Sequence, residues 1–368
     1  WHQLLVKNAD YAREAGLWEV QVEDIQPYLE PDTALIEFFT LQQKVYCFLV
    51  FSDSSGEAKM PVQGFDLGVE MAWVEEMLQR LWVNLTMVSR PGFAHHPGLL
   101  NNAKGILGLL YKALIAPIAP VIKAFPNLKI VPHGALHYLP FHALVDEGQY
   151  LIQQHQLSYL PSASLLKYGT KVSRSLDEVV VIGHSFGRQL LHTVKEAESV
   201  ADLWGTQPLL EEAAQCRSFH HQAPQARLLH LACHGDFRPD NPLFSGVALE
   251  DGWLTTLDIF NLRLQASLVT LSACQTGRSV VGGGDELFGL MRAFLSAGAS
   301  TLLLTLWPVA DEATGQWMGS FYRALMQGQT KKAALQTAIQ TFLSSPHAKY
   351  HHPYFWAPFI LVGHDGLL

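Results

Sequence analysis

The sequence predicts an α/β fold, a mostly parallel β-sheet sandwiched by helices. Two observations carry that prediction. Short β-branched and aliphatic runs recur along the chain, and amphipathic stretches of helical length separate most of them. Strands that alternate with helices pair in parallel, because each helix returns the chain to the starting edge and covers a face of the sheet on the way. The alternation also stops and restarts. Pro161, Ser162, Ser164 and Gly169-Thr170 fall before a new first strand, which places a boundary near residues 161–176.

The elements follow in order. Residues 3–28 read as helix with a break near Gly16. Ala34–Thr40 and Lys44–Phe51 are rich in β-formers, and Leu41-Gln42-Gln43 is a hairpin-length link. Val69–Val88 repeats apolar residues at three- and four-residue steps (Met71, Val74, Leu78, Leu81, Leu85), the period of a helix buried on one face. Ser89–Leu99 holds Pro, Gly and His-His-Pro and reads as a loop. Gly105–Ala124 is helical with interruptions at Pro117 and Pro120. Leu128–Pro132 and Leu151–Leu160 read as strands. In the second half, strands are expected at 178–182, 227–233, 267–273, 300–306 and 355–362. Helices are expected at 190–204, 286–297, 311–326 and 331–343, with a short helix or turn at 257–264.

Composition excludes several classes of function. With 368 residues, 49% of them hydrophobic, the chain can bury a substantial core. Its 25 basic residues are thinly spread and the net charge is −8, so it lacks the basic stripe that tracks nucleic-acid phosphates. Apolar runs such as Leu302–Val309, which contains Thr305 and Pro308, are far below the roughly 20 residues of a membrane span. Four cysteines (Cys47, Cys216, Cys233, Cys274) without C-x-x-C spacing point to a reducing, cytoplasmic setting. No H-E-x-x-H or comparable ligand spacing implies a metal, and no cofactor is expected. The absence of an initial Met leads us to expect an excised piece of a longer chain.

Ligands of open parallel sheets collect at the carboxyl ends of strands. His184-Ser185, His234-Gly235-Asp236, Cys274-Gln275-Thr276-Gly277 and Trp307–Asp311 follow four successive second-half strands. A His and a Cys at the ends of successive strands suit a nucleophilic thiol, which needs a base within hydrogen-bond reach. A glycine beside the base leaves room for a substrate carbonyl, so the N–H groups of Gly235 and Cys274 are the candidate oxyanion hole.

Leu228–Gly235 (LLHLACHG) and Leu271–Gly277 (LSACQTG) resemble the two signature blocks of the CHAT family of caspase-like cysteine peptidases. Gly284–Ala299, Leu306–Thr314, Trp356–Gly363 and, upstream, Val131–Phe141 resemble further blocks, so the similarity covers most of residues 33–363. The resemblance implies Cys274 as nucleophile and His234 as general base. It implies a caspase-like fold with three parts. Residues 1–29 are a helical end of upstream tetratricopeptide-type repeats, 30–165 a degenerate, non-catalytic subdomain, and 166–368 the catalytic one. It also implies a protein or peptide substrate and regulation by the repeats or a protein partner. Two departures stand out: Gln275 occupies a position where related sequences often carry Glu, and Arg238-Pro239 follows the His block.

The remaining candidates each have a plainer reading. Asp285, Asp311 and Glu312 are helix-start acids that stabilise a first turn. As a substrate pocket they would favour Arg or Lys before the cut, with Asp311 the first candidate and His184 a further cleft residue. Cys233 and His230 are expected in the core or in support. His133-Gly134 mimics the His-Gly pair but belongs to the degenerate half. Ile182–Gly187 contains G-x-S-x-G, the pattern of a hydrolase elbow, so a serine esterase using Ser185 is a third alternative. Arg188-Gln189-Leu190 do not suit the tight packing an elbow needs, which leaves the motif a coincidence. The leading expectation is a cysteine endopeptidase. The second is a module of the same fold held latent or silent, with the glycine run Gly282–Gly284 in the loop that would rearrange.

Overall fold

The computed structural model describes residues 21–52, 62–90, 92–168, 177–236, 241–272, 285–307 and 311–368. Sixteen strands lie among them. In the first half they are β1 (Thr33–Leu41), β2 (Lys44–Phe51), β3 (Gln63–Glu70), β4 (Asn127–Val131), β5 (Val145–Asp146), β6 (Gln149–Tyr150) and β7 (Gln156–Tyr159). In the second half they are β8 (Glu178–Gly183), β9 (Leu209–Leu210), β10 (Ala226–Ala232), β11 (Gly235–Asp236), β12 (Gly246–Leu249), β13 (Gly252–Thr255), β14 (Leu268–Leu271), β15 (Thr301–Thr305) and β16 (Phe359–Gly363). Eleven form one sheet in the order β3-β2-β1-β4-β7-β16-β15-β14-β10-β8-β9. The predicted α/β class with a mostly parallel sheet is what the chain adopts.

The sheet has two polarities. β9, β8, β10, β14 and β15 run parallel to one another. β16 is antiparallel to β15 yet parallel to β7, and β7, β4 and β1 continue in its direction. The carboxyl ends of β10 and β14 therefore lie on the edge opposite the carboxyl end of β4. His133-Gly134 follows β4, so the His-Gly mimic opens onto the other edge, where the His133 ring meets Phe39.

Crossovers between parallel strands are right-handed as a rule, and those leading β8 to β9 and β10 to β14 and β15 move in opposite directions across the sheet. Their helices consequently fall on opposite faces. Helix Leu191–Trp204 packs on β8 and β10 and against helix Asp311–Met326, which in turn packs on helix Lys331–Leu343. Helix Asp285–Ser296 packs on β15 and on the short helix Thr256–Phe260. Helix Met71–Val88 buries Met71, Val74, Leu78, Leu81 and Leu85, the residues its period singled out, and packs against helix Pro97–Leu114. Because the sheet is covered, β4, β14, β15 and β16 are buried along their whole length.

Several boundaries differ from expectation. The helix expected from Gly105 begins at Pro97, a residue suited to a first helical turn, and ends at Leu114; a second turn covers only Ala119–Ile122. Residues 151–160 divide into a 3-10 turn, Leu151–Gln153, and a four-residue strand. The last strand starts at Phe359, after the 3-10 turn Pro353–Phe355. β3 and the small sheet β11-β12-β13 were not anticipated, because Gly64, Gly68, Gly246 and Gly252 dilute their β-propensity. The helix expected over 3–28 falls mostly outside the described residues; its end is one α-turn, Val22–Ile25, followed by a 3-10 turn through Pro27. Among the described residues no helix is long and apolar enough to cross a membrane.

Candidate active site

β10 and β14 are neighbours in parallel register. Leu228 faces Leu268, and the same step of forty residues holds through Leu231 and Leu271. The ladder continues one bond further, with the Ser272 N–H donating to the Leu231 carbonyl at 3.1 Å. That same step separates His234 from Cys274. Cys274 itself, with Gln275 to Gly284, lies outside the described residues.

His234 leaves the end of β10 and is half-buried. Its carbonyl accepts from the Ala248 N–H at 2.7 Å, which starts the β11–β12 ladder. Antiparallel pairs alternate between bonded and non-bonded. The next pair, Gly235 and Val247, is therefore one whose N–H groups point away from the partner strand. The imidazole stacks on Phe186, with ring centroids 4.4 Å apart and planes inclined by 25°, and its other close ring is the edge-on indole of Trp253 at 5.9 Å. Burial lowers the pKa of His234, against a raising effect from Asp236 two residues on. Among the described residues, His234 Nδ1 is buried without a hydrogen-bond partner.

The Gly183–Leu190 loop supplies Phe186. Phe186, Gly187 and Arg188 all have left-handed backbones, with φ of 50°, 65° and 66°. This conformation costs an L-residue with a Cβ about 1–2 kcal/mol. The loop is held in place by its serine. Ser185 Oγ accepts from the Arg188 N–H at 3.1 Å, the Ser185 N–H donates to Glu211 Oε2 at 3.1 Å, and the Leu190 N–H donates to the Ser185 carbonyl at 2.9 Å. Burial acts to raise the Glu211 carboxyl, but hydrogen bonds from Ser185 and the charges of His184 and Arg188 leave it below its usual value. An elbow serine is exposed on the strained residue itself. Ser185 is 1% exposed, and the left-handed residues follow it.

The other candidates separate by position. His184 is 6% exposed and its Nε2 lies 3.1 Å from Glu250 Oε2, while its carbonyl accepts from Thr193 Oγ1. The ring is thus packed beneath the loop. Glu312 is exposed and accepts from Lys349 Nζ at 3.3 Å. Asp285 and Asp311 are the first residues of the helices Asp285–Ser296 and Asp311–Met326. Cys233 is buried, and desolvation pushes its thiol far up; the same cause takes Cys47 up to about 12.

Beneath the strand ends lies a buried polar chain. His230 Nδ1 is 2.8 Å from the Tyr322 hydroxyl, which donates to Thr270 Oγ1 at 2.8 Å. The Glu196 carboxylate sits 3.2 Å from His230 Nε2 and accepts from the Ser272 hydroxyl. It joins helix Leu191–Trp204 to both strands. Sequence reasoning anticipated a supporting His230 and missed Phe186, Trp253, Glu211 and Glu196. Among the described residues no trio of His, Cys, Asp or Glu is placed to hold a metal ion.

The CHAT domain model matches residues 104–364. The chain is 28% identical over 329 residues to human (Homo sapiens) Tetratricopeptide repeat protein 28, covering 72% of this chain and 13% of that protein. It is likewise 28% identical over 344 residues to the mouse (Mus musculus) protein, covering 75% of this chain and 14% of that one. The chain thus spans about one-seventh of the length of these relatives. Among solved structures it is similar to the Saccharomyces cerevisiae separase–securin complex, with a TM-score of 0.61 at 11% identity, over 98% of this chain and 32% of that one. The shared fold is caspase-like.

Proposed function

The chain belongs to the CHAT domain family, and on that premise we propose that it is a cysteine endopeptidase with Cys274 as nucleophile and His234 as general base. The observation that carries this reading is the register of β10 and β14. Its step of forty residues is also the spacing from His234 to Cys274 in the sequence, which supports the pairing.

In the reaction, His234 removes the thiol proton of Cys274, and the thiolate sulfur attacks the scissile carbonyl carbon. The oxyanion is held by the N–H groups of Gly235 and Cys274, a role that suits the outward N–H of the Gly235–Val247 pair. Collapse breaks the C–N bond, and the imidazolium gives its proton to the leaving amine. Water, deprotonated by His234, then cleaves the thioester and restores the thiol. Burial of His234 favours the neutral ring that the first step requires. The substrate is a protein or peptide with Arg or Lys before the cut, recognised by Asp311 and Asp285; Glu312 already holds Lys349. Free Cys47, Cys216 and Cys233 fit a reducing, cytoplasmic setting.

A second reading is a latent or silent module of the same fold, regulated by tetratricopeptide-type repeats or a protein partner. It is favoured by the relatives, repeat proteins in which the matched part is 13–14% of the length. One experiment separates the two. Wild type and Cys274→Ala are treated with peptidyl acyloxymethyl-ketone probes and fluorogenic peptides carrying Arg, Lys, Asp or Leu at the reacting position. Labelling and cleavage by the basic set, lost in Cys274→Ala, are expected. Cleavage that survives Cys274→Ala removes the dyad. An inert wild type moves the weight to the latent reading.

A further inference from the structure

We propose that the Gly183–Leu190 loop is the positioning device of the base, with Phe186 the side chain that fixes the plane of the His234 ring. The inference rests on the dyad reading above and deepens it. A general base works only in one orientation, and a catalytic histidine is ordinarily oriented by a hydrogen bond to its second ring nitrogen. Here, among the described residues, Nδ1 of His234 has no such partner. What the ring has is two aromatic neighbours that also touch each other, one stacked on its face and one edge-on. Phe186 lies nearly parallel to it at 4.4 Å and Trp253 meets it edge-on at 5.9 Å, while Phe186 and Trp253 are 6.1 Å from each other.

The loop is built to hold Phe186 there. A bulky residue at positive φ is an outlier that persists only when its surroundings over-determine it. Three consecutive left-handed residues are held by the Ser185 hydroxyl, and Ser185 is held by Glu211, whose own φ is 44°. Glu211 also packs its charge near His184 and Arg188. Every part of the G-x-S-x-G stretch thus acts on where one phenyl ring sits. Phe186 touches no reacting atom; it acts through His234 and is a positioning residue. The charge that acts on the ring is Asp236 on β11; Arg188 and Glu211 belong to the loop network, Glu250 faces His184, and Asp251 accepts from the Cys216 N–H.

The test uses the 368-residue chain with Phe186→Ala, Phe186→Tyr and Trp253→Ala. Phe186→Ala is expected to lower kcat on the best basic peptide by about 10- to 100-fold with KM within about 2-fold, the scale of a misoriented reacting group. Rehydration of the imidazole raises its pKa, so the acidic limb of the rate profile moves to higher pH. The His234 Cε1–H NMR titration, assigned with His234→Gln, moves the same way. Phe186→Tyr keeps the ring and restores all three readouts; Trp253→Ala, which leaves the strained turn alone, shifts them less in the same direction. Unchanged kcat, limb and titration in Phe186→Ala, or a rise in KM alone, overturns the proposal. If wild type shows no Cys274-dependent labelling, the weight moves to the latent reading and the kinetic readouts fall away. The NMR titration then still decides the clamp, since a His234 titration identical in wild type and Phe186→Ala sinks it.

Discussion

At the scale of single residues, two buried cysteines share one chemical state, Cys233 beside the candidate site and Cys47 far across the sheet on β2. Cys233 follows the end of β10 inside the core, where desolvation keeps its thiol protonated, and Cys47 is buried on β2 with a pKa pushed up to about 12. A thiol reacts as thiolate, so neither can compete with an activated cysteine at neutral pH. Brief treatment of the native chain with iodoacetamide at pH 7.5, followed by peptide mapping, is therefore expected to leave Cys233 and Cys47 unmodified while Cys274 reacts. Modification of Cys233 at the rate of Cys274 would mean that β10 opens readily at its end. The alternation of side chains along β10 made Cys233 legible as core from sequence, and the blocks around His234 and Cys274 carry the proposed reacting pair. Phe186 was not legible, because its role depends on a backbone conformation that no residue pattern announces for a phenylalanine. G-x-S-x-G drew attention to the serine, whereas the structure gives that hydroxyl a holding role.

At the scale of elements, the loop depends on how closely helix Leu191–Trp204 approaches β8. Gly183 is the last residue of β8, and a Cβ there would stand 2.6 Å from the Ala197 Cβ and 3.2 Å from the Thr193 carbonyl oxygen. The Leu210 Cδ2 at 3.1 Å can turn away, but the Ala197 Cβ and the Thr193 carbonyl belong to the helix itself and cannot swing aside. Gly183→Ala is expected to destabilise the fold by about 1–3 kcal/mol, the usual cost of overpacking. Urea denaturation reads it as a lower midpoint at unchanged slope. An unchanged midpoint would show that the helix moves freely against the strand. Apart from Pro97–Leu114, the helices whose apolar residues recur with period 3.6 were foreseen in sequence nearly to their ends, because burial on one face writes that period into the chain. The β11-β12-β13 sheet was not. Its strands are two to four residues long. Over so few positions neither period nor composition distinguishes a strand from a loop.

At the scale of the whole molecule, the alternation of strands and helices foretold a parallel sheet, but not the seam at β16. The final strand enters antiparallel to β15 and joins the two sets of strands, and nothing local in Phe359–Gly363 encodes the identity or direction of its partners. The segment just after β16 locks that seam. Asp365 is buried, accepts from Lys129 Nζ on β4 at 2.5 Å and from Ser158 Oγ on β7 at 2.6 Å, and thus ties the end of the chain to the first half. Burial alone would raise the Asp365 carboxyl, yet the charges of Lys129 and Lys332 and the two hydrogen bonds hold it far below its usual value. A depressed carboxylate contributes stability that is fully present above its unfolded pKa near 4 and is lost as pH falls through the folded value. Asp365→Asn leaves the Lys129 ammonium buried without its counter-charge, and is expected to cost about 3–5 kcal/mol at pH 7. As pH drops from about 5 toward 3 the gap between the two proteins should narrow, because wild type is then losing what the variant never had. Replacing both partners together, Lys129→Met with Asp365→Leu, removes the unpaired charge and should recover much of the loss. Urea midpoints across that pH range decide the matter. A gap that stays constant with pH would mean that the seam is held by apolar packing around β16, and that the buried pair contributes little to joining the halves.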